Sequence, residues 1–327
     1  MIARRRIVIA LGAGAFAPLA GFAQQPPTKI ARIGFLGTAS ASGFARQVEA
    51  LQKGLRDLGY LEGKNIVIEF RWADGKLERL PELAAELVHL KVDVLVTHGT
   101  PGTRAAKRAT ATIPIVMVNL SDVVALGLVA SLARPGGNVT GLSSFGLELL
   151  MKELELLKET LPRIRQVALL RNPDNPGSEL SLKAMEVAAR SLKVGVLKFE
   201  ARGPKEFEGA FSAMAKQRVD AVAMTNDAIF QANLKAIADL AAKQRLPSIG
   251  TSDLAEAGGL FGYGANLVDM FYRSAYFVDR ILKGTKPGDL PVEQPTKFEI
   301  VINMKTAKAL GIKIPNSILV QATKVIE

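Results

Sequence analysis

Residues 30–59 read IARIGFLGTASASGFARQVEALQKGLRDLG, and their pattern indicates the fold class. Residues 31–36 form a short apolar run, and a turn rich in glycine, serine and threonine follows it. Residues 45–58 then place apolar side chains three and four positions apart, and Gly59 ends the segment. This order is typical of a buried parallel strand that leads into an amphipathic helix.

The same unit recurs along the chain. Short apolar runs predict strands at residues 31–36, 66–70, 92–97 and 113–118, and again at residues 166–170, 195–199, 221–225 and 247–249. Amphipathic segments predict helices at residues 45–58, 80–90, from Pro101 onward, and at 148–161, 179–192, 206–217 and 228–243. We therefore predict an α/β protein with two doubly wound, Rossmann-like lobes, the first of which has four strands.

The chain beyond the second lobe is too short to form a third domain. A helix at residues 270–282 precedes a proline-rich stretch at 287–295, a strand at 297–302, a short helix at 305–310 and a strand-like run at 318–321. We expect these crossover segments to run between the lobes and to complete both. The predicted boundaries are residues 28–141 for the first lobe, 142–257 for the second and 258–327 for the shared elements, with the turn-rich residues 134–141 as a connection.

The first 23 residues have the pattern of an export signal. Arg4-Arg5-Arg6 precede an apolar run at residues 7–19, and Gly21-Phe22-Ala23 suits the positions before a signal-peptidase cut. We expect cleavage near Ala23, by either the general secretory or the twin-arginine route. Because no cysteine follows that could carry a lipid, the expected location is the periplasm.

The composition argues against most kinds of catalysis. The chain of 327 residues is 48 % hydrophobic and 22 % charged, as in ordinary globular proteins. It has no cysteine and only two histidines, His89 and His98, which excludes thiol nucleophiles and cysteine-held metals and nearly excludes histidine-based sites. The glycine pattern GxGxxG and the phosphate-binding pattern GxxxxGK[ST] are also absent. We predict no cofactor, no metal and no catalytic residue.

The excess of basic residues does not indicate a nucleic-acid partner. The formal net charge is +11, from 42 Lys and Arg against 31 Asp and Glu, and three of the arginines lie in the predicted signal. The remaining basic residues are spread over predicted helices and are not grouped with aromatic residues.

The candidate ligand-binding residues lie in the loops that follow the predicted strands, where open parallel sheets bind ligands. They are Thr38, Ser40, Gly99, Thr100, Thr103, Asn119, Asn172, Asn226, Asp227 and Ser252. These hydroxyl, amide and glycine groups suit hydrogen bonding to a small solute and do not form a nucleophile with its base.

Two of these residues predict what the solute carries. Thr100 can cap a helix that begins at Pro101, which leaves N–H groups for a carboxylate, and Asp227 can pair with an ammonium group from the other lobe. Each could equally be an ordinary helix cap. Together they suit a zwitterion.

Other polar residues in these loops have a weaker case. Asp122 and Asp253 are more typical of caps, and His98 is more typical of a structural residue than of one that lines the cleft. Trp72 could stack on an aromatic ligand, although packing on the sheet edge is commoner.

Several motifs resemble those of a known family. They are Ile33-Gly34-Phe35-Leu36-Gly37, Gly54-Leu55-Arg56-Asp57-Leu58-Gly59-Tyr60 with Glu62-Gly63-Lys64-Asn65, Gly99-Thr100-Pro101, Ile113-Pro114-Ile115-Val116, Leu132-Ala133-Arg134-Pro135-Gly136-Gly137-Asn138-Val139-Thr140-Gly141, Asn172-Pro173, and Lys308-Ala309-Leu310-Gly311. From about Ile30 to its end the chain resembles the ABC-transporter substrate-binding proteins of the tryptophan/tyrosine-type group. The string from Arg134 to Gly141 is the most specific of these matches.

The resemblance implies a type I periplasmic binding-protein fold, with two lobes joined by three crossover segments. Such a protein closes on a small amino-acid-like or carboxylated ligand and delivers it to the permease and ATPase subunits of an importer. The loop at 99–103 and the turn at Asn226-Asp227 would face the ligand. His98 stands where glycine is usual in the family. We expect a monomer.

Two other functions remain open at this point. The chain could be an exported ligand sensor that docks on a membrane receptor, or an exported α/β enzyme, for which only carboxylates or His98 could serve as the base. A cytoplasmic repressor is disfavoured, because an export signal stands where a DNA-binding helix-turn-helix would be expected.

Overall fold

The computed structural model describes residues 30–327, and the predicted export signal at residues 1–23 lies outside them. The strands are β1 (Ala31–Gly37), β2 (Ile66–Trp72), β3 (Val94–His98), β4 (Ile115–Leu120), β5 (Val139–Ser143), β6 (Gln166–Arg171), β7 (Gly195–Glu200), β8 (Ala221–Met224), β9 (Ser248–Gly250), β10 (Phe261–Gly264), β11 (Glu299–Asn303) and β12 (Lys324–Ile326). The α-helices are α1 (Ala45–Asp57), α2 (Leu80–His89), α3 (Gly99–Ala109), α4 (Gly146–Thr160), α5 (Gly177–Leu192), α6 (Pro204–Lys216), α7 (Ala228–Gln231), α8 (Leu234–Lys243), α9 (Ser252–Glu256), α10 (Leu267–Leu282), α11 (Met304–Leu310) and α12 (Asn316–Leu319). No helix within residues 30–327 has both the length and the apolar character that crossing a bilayer requires.

The first lobe is built on a five-stranded parallel sheet in the order β2-β1-β3-β4-β5. Alternate residues of β1 supply its two cores, because successive side chains of a strand point to opposite faces. Ile33 and Phe35 pack under α1 and α10, whereas Leu36 packs under α2 and α3. Strands buried on both faces explain the continuous apolar runs in the sequence.

The second lobe is built on a seven-stranded sheet in the order β12-β11-β10-β9-β8-β6-β7. All neighbours are parallel except β10 and β11. Helices α4, α5, α11 and α12 contribute to the core on one face, and α6, α8 and α9 to the core on the other. The predicted α/β class with two doubly wound lobes is confirmed.

Some predicted elements are wrong in detail. The first lobe has five strands, because residues 139–143 form the buried edge strand β5 beside β4. The strand-like run at 318–321 is part of α12 and the exposed turn after it, where Val320 is 82 % exposed, and the strand lies later, at β12. The helix predicted at 228–243 is interrupted at Asn233, whose backbone leaves the helical region, so that α7 and α8 are separate.

The chain crosses between the lobes three times, after β5, after β10 and after α10. The third crossing is held against β5 by hydrogen bonds. The Thr140 hydroxyl donates to the carbonyl of Leu290 at 2.7 Å, and Glu293 exchanges backbone hydrogen bonds with Gly141 and Ser143 at 2.9 Å. The string from Arg134 to Gly141 therefore has a structural role at the junction of the lobes.

Gly141 is the glycine of this string that has the least room for a side chain. Its φ is +129°, and a Cβ atom there would lie 2.2 Å from the carbonyl oxygen of Met117 in β4. We expect Gly141→Ala to lower the free energy of unfolding by about 2 kcal/mol or more, through strain and displacement of β5. Urea titration measures this loss.

Gly137→Ala is the matched control, since a Cβ at Gly137 meets nothing within 4 Å. Equal stability of the two variants would contradict this account of the string.

Candidate functional site

The two lobes meet at the carboxyl ends of their strands, and a pair of amides joins them there. Asn119 is the penultimate residue of β4 in the first lobe, and Asn226 follows β8 of the second. Each Nδ2 donates to the Oδ1 of the other residue, at 3.2 and 2.9 Å. Asn119 is held at a φ of +57°, a left-handed conformation that asparagine tolerates better than most residues. This strained residue lies at the centre of the cleft.

Two small cavities flank this amide pair, and both are lined by Asn119, Asn226 and Leu267. Their volumes are about 20 and 40 Å³, which is room for water-sized groups only. The lobes are therefore closed upon each other in this structure.

An aromatic cluster forms one wall of the first cavity. His98 stacks on Phe44 with ring centroids 4.1 Å apart, and Phe271 of α10 lies 5.9 Å from His98 and 6.1 Å from Phe44. Nε2 of His98 accepts the Thr38 N–H at 3.3 Å, so the ring proton lies on Nδ1. Burial lowers the pKa of His98 to about 3, because the charged ring would lose its hydration. His98 is thus a neutral, buried wall residue.

The start of α3 forms the opposite, polar part of the first cavity. The predicted cap is wrong in detail, because the helix begins at Gly99, after His98, and Thr100 lies within its first turn. Gly99 adopts a φ of +70°, and the helix begins there, two residues before the predicted start at Pro101. The Thr103 hydroxyl donates a hydrogen bond to the Gly99 carbonyl at 2.9 Å. Thr100 is 4 % exposed and lines the cavity, and its hydroxyl has no hydrogen-bond partner within residues 30–327. First-turn N–H groups without helical acceptors make such a start favourable for an anion.

Both carboxylate oxygens of Asp227 accept hydrogen bonds from other groups of the protein. Its Oδ1 accepts the N–H groups of Ile229 and Phe230, and its Oδ2 accepts Nδ2 of Asn175 and of Asn172, at distances from 2.8 to 3.3 Å. It caps α7 and does not line either cavity. Burial raises its pKa and these hydrogen bonds oppose that rise. Asn175, which Asp227 positions, does line the first cavity.

The other predicted residues divide into lining residues and supporting residues. Gly99, Thr100, Asn119 and Asn226 line the first cavity, and Asn119, Asn226 and Ser252 line the second. Thr38, Thr103 and Asn172 are buried behind this surface, where Thr38 donates its N–H and its hydroxyl to His98. Ser40 lies at an outer groove between the lobes and accepts the Gly43 N–H.

The second cavity contains a carboxyl group that the sequence reasoning missed. Glu153 of α4 lines it together with Tyr263, Asp253 and apolar side chains. Burial raises the pKa of Glu153 to about 8, and it also raises the pKa of the Tyr263 phenol above its usual value. The sequence does carry a signal for Glu153, since it lies at helical spacing with the buried Leu150, Leu154 and Leu157.

Further lining residues, which were not among the predicted candidates, come from the shared elements and from segments near the predicted loops. They are Phe44, Ser121, Asn175, Gln231 and Phe271 around the first cavity, and Ser144 and Thr251 around the second. Phe271 had no local signal, because α10 reaches the first lobe only through the crossovers. No group of three or more His, Asp or Glu side chains that could hold a metal occurs in residues 30–327.

Contacts at the rim also join the closed lobes. Arg46 of α1 lies 3.6 Å from Glu256 and 3.9 Å from Asp253 of α9. Gly43 faces Ala232 so closely that a Cβ at Gly43 would lie 2.4 Å from the Cβ of Ala232. The exposed ion pairs contribute little, whereas the glycine contact leaves no room for a side chain.

Comparison with known proteins identifies the family. Residues 32–326 match the ABC transporter substrate binding protein family, and the chain belongs to it. The tyrosine-binding protein of Clostridioides difficile (strain R20291) is 29 % identical over 262 residues, covering 80 % of this chain and 75 % of that protein. The resemblance to the tryptophan/tyrosine-type group is thereby confirmed.

Two solved structures resemble this chain over most of its length. A domain from Streptococcus pneumoniae in complex with L-Trp is 26 % identical, covers 90 % of this chain and 99 % of its own, and superposes with a TM-score of 0.84. The ligand-free, open structure of a substrate-binding protein with adhesive properties from Clostridium difficile is 25 % identical at 91 % and 99 % coverage, with a TM-score of 0.64. Identity and coverage are nearly equal for the two structures, and this chain superposes better on the L-Trp complex than on the open, ligand-free structure.

The neutral state of His98 predicts a dependence of stability on pH. Its pKa is about 3 in the folded chain and about 6.5 when unfolded, so the unfolded chain binds the additional proton. The stability from neutral burial is complete above pH 6.5 and is lost as the pH falls towards 3. The stability difference between the wild type and His98→Gln should change by about 1.4 kcal/mol per pH unit between pH 6 and pH 4.

Denaturant unfolding across this range measures the slope. His89→Gln, at an exposed position on α2, is the control and should keep the wild-type slope. A parallel pH profile for the wild type and His98→Gln would contradict neutral burial.

Proposed function

We propose that this protein is the exported solute-binding component of an ABC importer and that it binds an amino acid with an aromatic side chain between its lobes. The observation that carries the proposal is the start of α3, where the unpartnered Thr100 hydroxyl and the first-turn N–H groups meet a cavity that the second lobe also lines. The tyrosine-binding relative and the L-Trp complex support the ligand class. Membership of the ABC family supports delivery to a permease.

The ligand's carboxylate binds at the start of α3, where Thr100 and Ser121 supply hydroxyls. The amide pair separates, and the Oδ1 atoms of Asn119 and Asn226 accept the ammonium hydrogens. The side chain then extends into the second cavity, where Leu149, Leu150, Met224 and Ala265 form an apolar lining.

Residues around the proposed ligand position assist binding without contacting the ligand. We propose that Asp227 acts by holding Asn175 and α7 in place, and that the aromatic cluster excludes water from the bound carboxylate. Hydrogen bonds in such a water-poor site are stronger than in solvent.

Export is proposed on the pattern of residues 1–23, with removal near Ala23. Amino-terminal sequencing of the protein from a periplasmic fraction tests it, and a chain that still begins at Met1 would contradict it.

A panel of amino acids tests the ligand class. We expect calorimetry to detect tyrosine or tryptophan with micromolar or tighter affinity, and not glutamate or lysine. Thr100→Val keeps the shape of the side chain and removes the hydroxyl, so it should weaken binding about tenfold. Thr112→Val, at an exposed position after α3, is the control.

If no aromatic amino acid binds the wild type, the proposed ligand class is wrong. If Thr100→Val binds as tightly as the wild type, the carboxylate lies elsewhere.

Closure of the lobes is tested at Gly43. Gly43→Ala places a methyl group against Ala232 in the closed form only, so it should weaken tyrosine or tryptophan binding about tenfold or more. Small-angle scattering should show less ligand-induced compaction than in the wild type. Gly209→Ala, where a Cβ meets nothing within 4 Å, should behave as the wild type.

Unchanged affinity and compaction in Gly43→Ala would mean that the bound form is less closed than this structure.

A further inference from the structure

Glu153 is the buried acidic residue whose chemistry the proposed function has not used. It is 5 % exposed, and its Oε2 atom has no hydrogen-bond partner among the residues that the structure describes. It lies on the buried face of α4 and lines the second cavity. A buried carboxyl oxygen without a partner costs free energy, and replacement by an apolar residue would remove that cost. Its presence at this cavity therefore points to a partner that arrives with the ligand.

The surroundings of Glu153 indicate which part of a ligand that partner belongs to. The surface of this cavity is mostly apolar, and the flat ring of Tyr263 forms part of it. Asp253 is a second acidic side chain in the wall, so a ligand carboxylate is disfavoured here. The polar groups suited to a carboxylate lie in the other cavity, around Thr100. The second cavity thus suits a flat apolar group that ends in a hydrogen-bond donor.

Burial raises the pKa of Glu153 to about 8, so most of this carboxyl is protonated and neutral at pH 7. A neutral carboxyl can still accept a hydrogen bond through its carbonyl oxygen and can donate one through its O–H. No charged ligand group is needed to satisfy it.

We propose that Glu153 is a specificity-determining residue that hydrogen-bonds the polar hydrogen on the ligand's aromatic ring, the phenol O–H of tyrosine or the indole N–H of tryptophan. This inference rests on the proposed function, in which the carboxylate lies at the start of α3 and the ring enters the second cavity. Phenylalanine fills the same space and leaves the carboxyl without a partner. A site that hydrogen-bonds a polar group of its ligand discriminates strongly against an analogue that lacks this group, because the polar group of the site is then left unpaired. An apolar pocket discriminates less strongly between ligands that differ slightly in size.

Matched ligand pairs test the proposal by calorimetry on the full mature chain. Tyrosine and phenylalanine differ only in the hydroxyl, and tryptophan and 3-benzothienylalanine differ by sulfur in place of the indole N–H. We expect the wild type to favour tyrosine over phenylalanine and tryptophan over its analogue, each by about tenfold. Glu153→Leu should reduce both ratios to about one, because it removes the acceptor and adds apolar surface.

Two further variants separate this role from a structural one. Glu153→Gln keeps an acceptor oxygen and should retain most of the discrimination. Glu155→Leu changes a neighbouring glutamate of α4 that does not line either cavity, and should retain all of it. Thermal unfolding of each variant checks that it is folded.

The outcomes distinguish the inference from the function on which it rests. Equal binding within each pair by the wild type would overturn the inference and leave the proposed function intact. If Glu153→Leu weakens all four ligands alike and does not weaken the corresponding acids without the amino group, the carboxyl recognises the ammonium instead and the inference is wrong. If the wild type binds none of the four, both proposals fail.

Discussion

The packing of helix α10 on the first lobe is the constraint on which the rest of the structure depends. Both of its neighbours in the chain, β10 and β11, belong to the sheet of the second lobe, yet Phe271 and Val278 of α10 are fully buried in the first core. The chain must therefore leave the second lobe and return to it, which creates two of the three crossings. Burying a side chain such as Phe271 contributes about 2 kcal/mol, so α10 stays on the first lobe when the lobes move. A change in the arrangement of the lobes would therefore have to occur at the crossover segments.

Helix α10 also extends the hydrophobic core of the first lobe to the cleft between the lobes. Phe271 belongs to the core under α1 and also contacts His98 in the wall of the first cavity. Residues of the hydrophobic core themselves form this wall of the first cavity, so no additional layer of side chains lies between the core and the cavity. This explains why His98 is neutral, since a charged ring would have to be buried among aromatic side chains. The polar groups of the first cavity come from β4, from α7, from loops and from the start of α3, where backbone N–H groups have no helical acceptor.

The division of the cleft by Asn119 and Asn226 follows from the closed arrangement. Each amide satisfies the other across the lobes, so closure without a ligand leaves no unpaired group at this point. The carboxyl of Glu153 is different, because no group of the protein within residues 30–327 pairs with its Oε2 atom.

The sequence by itself determined the α/β class, the two lobes and most strands and helices, because the spacing of apolar residues reports local structure directly. It also directed the search for a site to the loops that follow the strands, several residues of which line the two cavities, since parallel strands all direct their carboxyl ends to one edge. What a polar residue does there was decided only by the tertiary structure. Asp227 and Glu153 show this clearly. Asp227 was predicted to face the ligand, and Asn172, Asn175 and two backbone N–H groups occupy it. Glu153 sits in an apolar helix stripe, and it meets the cleft because α4 packs beside β10 and Tyr263. The hydrogen-bond partners of a side chain come from elements far apart in the chain, and no local pattern records which of them it will meet.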